Sequence, residues 1–203
     1  MHQIALPLTP AGSGMGRIVV GNANTLVVDA LCDSSSWPFR TAVLSGPPRS
    51  GKSLLAGWFA QSSGGDVIDD AEQLPEADVF HRWNRAQELE TPLLVVTNAR
   101  SGDWRITLPD LASRIGAALH LAIGTPDDAM MAELIEVHAE MRGLVLDPAA
   151  TAYLVPRCER SHLLAEQLVE AIDRLSLERK AAPTLSIWRE ALIETMGTPG
   201  NGS

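Results

Sequence analysis

The sequence predicts an α/β domain built on a parallel sheet, followed by a small all-helical domain. Before residue 125, short apolar runs alternate with amphipathic segments of helical period. Strands that alternate with helices are typical of a parallel sheet with helical crossovers. After Gly124-Thr125-Pro126 only helical patterns follow, so we place a domain boundary near residue 125.

Four strands and two helices are predicted in the first part, in chain order. The strands are apolar runs bounded by Gly, Pro or acidic residues, and they span 41–45, 66–69, 93–97 and 117–123. The helices between them span 53–61 and 77–90. The second part is predicted to form helices at 127–142, 147–157, 161–177 and 184–195, with N-caps at Asp127, Asp147, Ser161 and Thr184.

The ends of the chain differ in composition from the part between them. Residues 1–16 are rich in Pro, Gly, Ser and Thr, and residues 197–203 are small and polar. We therefore predict a flexible tail at 1–16, a first domain at 17–125, a helical domain at 126–196 and a disordered tail at 197–203.

Composition excludes several classes of protein. The net charge is −9 and the sequence contains no basic stripe, which argues against autonomous binding of duplex DNA. No apolar run reaches the 18 residues of a membrane span, and the first residues lack the basic region of a signal peptide. Cys32 and Cys158 are the only cysteines and lie far apart, so we expect no disulfide framework, no zinc site and a cytoplasmic location.

The segment between the first strand and the first helix carries a phosphate-loop motif. It is Gly46-Pro47-Pro48-Arg49-Ser50-Gly51-Lys52-Ser53, which fits G-x4-G-K-[ST] in the required strand–loop–helix context. Backbone N–H groups of such a loop surround phosphate, and the lysine contacts the β- and γ-phosphates. The predicted nucleotide contacts are Gly46, Pro47, Arg49, Ser50, Gly51, Lys52, Ser53 and Leu54. The alternative is a chance Gly-Pro turn with a surface lysine.

Acidic and amide side chains follow the second and third strands. Asp69, together with the Ser53 hydroxyl, is predicted to ligate Mg²⁺, because hard cations prefer oxygen ligands. Asp70 is predicted to polarise the attacking water, and Asn98 to lie near that water. The alternatives are an acidic turn at Asp69-Asp70 and a simple strand-end cap at Asn98.

The order of these motifs resembles the AAA+ family, more closely its DnaA-related group, and within that group the Hda-like regulators of replication initiation. The resemblance implies a P-loop AAA+ base domain at 17–125 and an all-α lid domain at 126–196. It also implies that Gly21, Asn22 and Asn24, in the stretch Val20–Asn24, cup adenine. Arg160-Ser161-His162 and residues 187–192 resemble lid segments, and Arg160 is predicted to contact the nucleotide.

Two further features match the Hda-like group. DnaA continues beyond its lid into a DNA-binding helix-turn-helix domain, and we expect that domain to be missing here. The N-terminal stretch resembles the peptide with which Hda-like proteins bind the DNA polymerase III sliding clamp (β); its residues are Gln3, Ile4, Ala5, Leu6, Pro7 and Leu8. A short peptide of this kind inserts apolar anchors into a cleft. The alternative is a frayed terminus with an accidental apolar pair.

The sequence departs from the family pattern at two places. Only fifteen residues separate Ser53 from Asp69, too few for the usual second strand and its helix. The AAA+ sheet has the order 5-1-4-3-2, so its strand 2 is an edge strand. The resemblance therefore implies a trimmed sheet of four parallel strands in the order 5-1-4-3. Leu163 occupies the position of the lid arginine that usually contacts the γ-phosphate, so weak intrinsic hydrolysis is expected.

Arg114 corresponds to the arginine finger that oligomeric AAA+ proteins direct at a neighbour's nucleotide. The resemblance therefore implies a regulator that binds ADP or ATP with Mg²⁺, the sliding clamp and DnaA, with a possible homo-oligomer and no membrane. It would use Arg114 in trans to stimulate hydrolysis of DnaA-bound ATP. The alternatives are a self-sufficient ATPase and a nucleotide-dependent adaptor without hydrolysis, with Arg114 an ordinary solvated residue.

Overall fold

A computed structural model describes residues 17–99 and 103–197 of the chain. The chain folds into two compact units, one ending at Gly124 and one beginning at Thr125. Among the described residues, none of the helices combines the length and the hydropathy that a membrane span requires.

The first unit is built on a sheet of four parallel strands. The strands are β1 Thr41–Ser45, β2 Asp66–Ile68, β3 Leu93–Val96 and β4 Leu119–Ala122. Their order is β2-β3-β1-β4, with Thr41 opposite Leu93 and Ala42 opposite Leu119. Every residue of β1 and β3 is buried, as expected for strands covered on both faces. The predicted four-strand order is confirmed, with β2 and β4 at the edges.

The helices of this unit are α1 Thr25–Cys32, α2 Lys52–Ser63, α3 Glu76–Glu88 and α4 Pro109–Gly116. The sequence did not predict α1 or α4, and the structure shows why. Both helices are only eight residues long, shorter than the stretch of about 11 residues over which a helical period can be recognised in a sequence. Burial of Val27, Val28 and Leu31 fixes α1, and Leu111 and Ile115 fix α4. The backbone N–H groups at 117 and 118 still donate to carbonyl oxygens of α4, so β4 begins at Leu119 and is shorter than the predicted strand at 117–123.

Close packing between α2 and the start of β2 restricts the residue types there. The Phe59 ring is fully buried and stacks on Trp37, with 5.1 Å between the ring centroids. A Cβ on Gly65 would lie 2.5 Å from Cζ of Phe59 and 3.0 Å from the Pro92 carbonyl oxygen. Only glycine therefore fits at position 65 without a shift of its neighbours.

Arg82 of α3 covers the edge strand β2. Its Nη2 donates to the Asp66 carboxylate at 2.6 Å and to the Val67 carbonyl oxygen at 2.8 Å. One side chain thus satisfies a backbone acceptor at the edge of the shortened sheet.

The second unit is all-helical and has one apolar core. Its helices are α5 Asp128–Met141, α6 Pro148–Leu154, α7 His162–Arg179 and α8 Leu185–Met196, with a 3₁₀ turn at Val155–Arg157. Asp127, Asp147 and Ser161 accept hydrogen bonds from backbone N–H groups of the first turns, as predicted. Thr184 is the N-cap residue of α8, as predicted, but its side chain makes no capping hydrogen bond. Met131, Ile135, Leu168, Ile172 and Trp188 lie in the core of this unit.

Candidate nucleotide-binding site

The predicted phosphate-loop motif connects β1 to the first turn of α2. Gly51 has a φ of 86°, a conformation that residues with a side chain rarely adopt. A Cβ on Gly46 would lie 2.9 Å from Cβ of Ile123 and 3.0 Å from Oγ of Ser50. Both glycines are therefore required by the backbone path, which ends at the N-terminus of a helix of twelve residues.

Lys52 is folded back onto this loop. Its side chain is buried, and its Nζ donates to the carbonyl oxygens of Gly46 and Pro47, both at 3.0 Å. Burial lowers the pKa of Lys52, while the charges of Asp69, Glu72 and Asp70 act in the opposite direction. A buried ammonium held by weak carbonyl partners can exchange them for phosphate oxygens, which bind a cation more strongly.

The side chains of this loop fit a phosphate group. The Ser50 hydroxyl is buried and has no hydrogen-bond partner within the described residues. A buried hydroxyl without a partner is costly, and an anion in the loop would supply an acceptor. Ser53 and Leu54 follow Lys52 in the first turn of α2, where the helix dipole favours negative charge.

The carboxyl ends of β2 and β3 bring two predicted catalytic side chains together. Asn98 Nδ2 donates to Asp70 Oδ1 at 2.5 Å, because β2 and β3 are neighbours in the sheet. Asp69 Oδ1 accepts from the backbone N–H of Asp70 at 3.0 Å, and Asp70 itself has a φ of 49°. The two adjacent carboxylates after β2 therefore have different partners: Asp69 accepts from the backbone of the turn, and Asp70 accepts from Asn98.

Glu72 is a further acidic residue of this site that the sequence analysis missed. Its Oε1 accepts from the backbone N–H of Asn98 at 3.0 Å, and its charge acts on Lys52. Burial raises the pKa of Glu72, but hydrogen bonds from its own N–H, from Asn98 and from Thr97 outweigh burial and leave the pKa lowered. In the sequence, Glu72 follows Asp69 by three residues. That position is only a weak indication of a site residue, since acidic residues in turns are often simply solvated.

The stretch predicted to cup adenine forms the turn before α1. Asn24 is buried and uses both side-chain groups on this turn: Oδ1 accepts from the Gly21 N–H at 2.9 Å, and Nδ2 donates to the Val19 carbonyl at 2.8 Å. The Gly124 N–H donates to the Ala23 carbonyl at 2.8 Å and ties the turn to the end of β4. Asn24 therefore fixes the shape of the turn, while Asn22 is exposed on it.

Arg114 lies in the last turn of α4 and contacts α3. Its guanidinium carbon is 4.3 Å from the centroid of the Phe80 ring and 4.2 Å from that of the Trp83 ring. Its Nη1 donates to Asn84 Oδ1. Within the described residues, its hydrogen bond and both ring contacts are thus with α3, and the structure does not bring Arg114 together with Lys52, Asp69, Asp70 or Asn98.

The remaining predicted site residues lie in the second unit or outside the described residues. Arg160 Nε donates to the Asp128 carboxylate at 2.7 Å, which raises the pKa of Arg160 and lowers that of Asp128. Leu163 is half-buried in the first turn of α7, beside the buried His162. The predicted clamp-binding residues 3–8 and the tails at 1–16 and 198–203 lie outside the described residues.

The chain has the α/β fold of AAA+ domains, as comparison with solved structures shows, although no protein-family model matches its sequence. It is similar to domain III of the Thermotoga maritima replication initiation protein DnaA, with a TM-score of 0.73 and 13% identity over 89% of this chain and 95% of that one. It is also similar to AMPPCP-bound DnaA from Aquifex aeolicus, with a TM-score of 0.60 and 20% identity over 81% of this chain and 67% of that one.

The Thermotoga maritima RuvB Holliday junction branch migration motor has the same fold. Its TM-score is 0.62 and its identity 16%, over 91% of this chain and 72% of that one. The fold is therefore shared by DnaA and RuvB, and the predicted α/β class of AAA+ type is confirmed.

Proposed function

We propose that this protein is an Hda-like regulator of replication initiation. It binds an adenine nucleotide in the P-loop site and the sliding clamp through residues 3–8, and stimulates hydrolysis of ATP bound to DnaA. The observation that carries this proposal is the location of Arg114, which contacts α3 and not the phosphate loop of its own chain. An arginine placed in this way serves a phosphate site on another molecule better than its own.

The nucleotide site rests on three residues of the first unit. Lys52 exchanges its carbonyl partners for phosphate oxygens, and Ser53 and Asp69 hold Mg²⁺. A bound Mg²⁺ neutralises charge on the phosphate oxygens. The turn that Asn24 fixes, with Gly21 and Asn22, lies against the adenine.

Intrinsic hydrolysis is slow in this proposal, and ADP serves as a structural ligand. Asp70 already accepts a hydrogen bond from Asn98 at Oδ1, at 2.5 Å, so a water would be polarised through its other oxygen, Oδ2. Leu163 provides no charge where related proteins have a lid arginine, and Arg160 is paired with Asp128. In this proposal the chain keeps the groups that bind a nucleotide, but it lacks the lid arginine that would complete its own catalytic centre.

The trans role of Arg114 follows from the chemistry of phosphoryl transfer. Negative charge on the transferred group is stabilised by a guanidinium, whose planar fork can contact two oxygens. Tethering to the clamp through residues 3–8 raises the local concentration of the protein near DNA, where DnaA acts.

Single-turnover release of phosphate from DnaA preloaded with ATP, in the presence of DNA-loaded clamp, tests this function. Arg114→Ala should abolish the stimulation, which for an arginine finger is about 10³–10⁵-fold. Arg114→Lys should also fail, since lysine lacks the planar fork. The matched control is Arg85→Ala, which removes an exposed cation from α3.

Two other outcomes correspond to the alternative functions. Full stimulation by Arg114→Ala would contradict the finger role and leave the protein as a nucleotide-dependent adaptor. Turnover by the isolated protein at about 1 s⁻¹ or faster, in the range of efficient enzymes, would favour a self-sufficient ATPase that uses Lys52, Asp69 and Asp70.

A further inference from the structure

The guanidinium of Arg114 is held by three side chains of one helix face. Phe80, Trp83 and Asn84 are spaced i, i+3 and i+4 along α3, so they point to the same side of the helix. Both ring centroids lie within the roughly 6 Å at which a cation interacts favourably with an aromatic face. Nη1 of Arg114 also donates a hydrogen bond to Oδ1 of Asn84.

The two rings are themselves fixed by the core. Phe80 and Trp83 pack against the buried cluster of the first unit, which includes Val79, Leu111 and Ile115. Leu111 and Ile115 belong to α4, the helix that carries Arg114. The base of the arginine side chain and the surface under its guanidinium are therefore parts of one rigid packing arrangement.

This arrangement leaves one edge of the guanidinium open. Asn84 takes Nη1, while Nε and Nη2 have no hydrogen-bond partner within the described residues. Nε and Nη2 form the side-on pair of donors that can bind two oxygens of a carboxylate or phosphate. An arginine held in this way presents a preformed fork.

The contacts also leave the positive charge of Arg114 uncompensated. Its partners in the described part of the chain are two rings and a neutral amide, and it has no ion pair there with an Asp or Glu. A carboxylate paired with Arg114 would compete with phosphate oxygens for the guanidinium, and neutral partners do not. The rings fix the position of the guanidinium and keep its charge available.

We infer that Phe80, Trp83 and Asn84 are positioning residues that hold the Nε–Nη2 edge of Arg114 toward phosphate oxygens presented by a second protein. This inference rests on the proposed function and adds to it the face of α3 that orients the Arg114 side chain. Preorganisation of this kind matters because a misplacement of about 1 Å can cost about 10²-fold in rate.

Variants of these residues separate positioning from folding. Trp83→Leu and Asn84→Ala should lower the maximum rate of phosphate release from DnaA preloaded with ATP by about 10–100-fold, at an unchanged half-saturating concentration. Trp83→Phe keeps a ring face and should restore most of the rate. The control is Trp104→Leu, which removes an aromatic residue of the same cluster that has no ring contact with Arg114. Asn84→Ala leaves the core untouched and stays informative if Trp83→Leu unfolds.

A second measurement does not depend on DnaA. In nitrogen-detected or proton-detected NMR spectra, the side-chain N–H signals of Arg114 should show a ring-current shift. Trp83→Leu should reduce this shift, since only the Phe80 ring then remains, and Trp104→Leu should retain it in full. An unshifted Arg114 signal in the wild-type protein would overturn the inference.

The outcomes distinguish this inference from the function on which it rests. If Arg114→Ala keeps full stimulation, the proposed function itself fails. If Arg114→Ala is inactive while Trp83→Leu and Asn84→Ala reach or exceed the wild-type rate, the function stands and the positioning role is wrong. The inference is supported if Arg114→Ala, Trp83→Leu and Asn84→Ala all lose stimulation of phosphate release. Trp83→Phe should then keep most of the stimulation.

Discussion

Asn98 Nδ2 lies 2.5 Å from Asp70 Oδ1, so the amide after β3 binds the second carboxylate after β2. Glu72 accepts from the backbone N–H of the same asparagine. Asn98 is therefore held between two acids and couples the ends of two strands. As a general base, Asp70 would therefore act through its second oxygen, Oδ2, while Oδ1 keeps the hydrogen bond from Asn98.

Asp70→Asn should lower the residual ATP turnover of the isolated protein by about 10²–10⁴-fold, the contribution expected of a general base. Binding of ADP should stay within a few-fold of wild type, because Lys52 and the loop are unchanged. Steady-state phosphate release and calorimetric titration measure the two quantities. Asp78→Asn, an exposed residue of α3, is the control. Unchanged turnover would remove Asp70 from the mechanism.

Lys52→Ala should weaken binding of ADP and ATP by about 10–100-fold. Hydrogen bonds to charged groups contribute about 1.5–3 kcal/mol, and 1.4 kcal/mol is a factor of ten. Equilibrium titration with a fluorescent nucleotide measures the change. The chain has one other lysine, and Lys180→Gln at the end of α7 serves as the control. Equal affinity in Lys52→Ala would contradict the P-loop assignment.

Gln3→Ala, or the pair Leu6→Ala and Leu8→Ala, should abolish association with the sliding clamp. A short peptide binds through few anchors, so loss of one removes most of the affinity. Gel filtration with purified clamp, or surface plasmon resonance, tests this expectation. Thr9→Ala, just beyond the motif, should bind normally, and the melting temperature should be unchanged in every variant. Wild-type association of the Gln3 variant would place the clamp contact elsewhere.

Gly65→Ala should destabilise the protein by about 1–3 kcal/mol, the usual cost of overpacking. The added Cβ meets the Phe59 ring, which cannot move aside because it is buried against Trp37. Gly116→Ala is the matched control, since a Cβ there meets no atom within 4 Å. Urea unfolding compares the two. A Gly65 variant as stable as the Gly116 variant would mean that Phe59 is mobile.

Glu76 should contribute stability that is lost in acid. Its carboxylate accepts from the backbone N–H groups of Thr107 and Leu108, and those bonds lower its pKa below the ordinary 4.5. The stabilisation is therefore present above the unfolded pKa and disappears as the pH falls through the folded value. Glu76→Gln should be less stable than wild type at pH 7, and the two should converge at low pH. Glu88→Gln, at the other end of α3, is the control, and parallel curves for all three proteins would be evidence against this account.

The four strands and the phosphate loop could be predicted from sequence because both depend on local signals, whereas the order of the strands came from the resemblance to AAA+ proteins. Buried parallel strands are continuous apolar runs, and the loop requires glycines before Lys52. The short interval between Ser53 and Asp69 left room for one strand fewer, and the structure confirms the four-strand order.

Other features could not be predicted because they depend on packing between distant segments. The contact of Arg114 with Phe80 and Trp83 joins α4 to α3, and each residue alone looks like part of a surface helix. Glu72 becomes part of the site only through its bond to Asn98, 26 positions away in the chain. Helix α1, of eight residues, is too short to show a clear helical period in the sequence, and its apolar face is buried in the fold.

Arg82, which contacts the edge strand β2, affects the tendency of the protein to aggregate at high concentration. An uncovered edge strand is a template for pairing with another chain, and such pairing leads to aggregation. Arg82 occupies the Val67 carbonyl and places a cation at this edge, so an incoming strand would have to displace an ion pair and a hydrogen bond. Arg82 therefore protects this edge of the shortened sheet against pairing with a strand of another molecule.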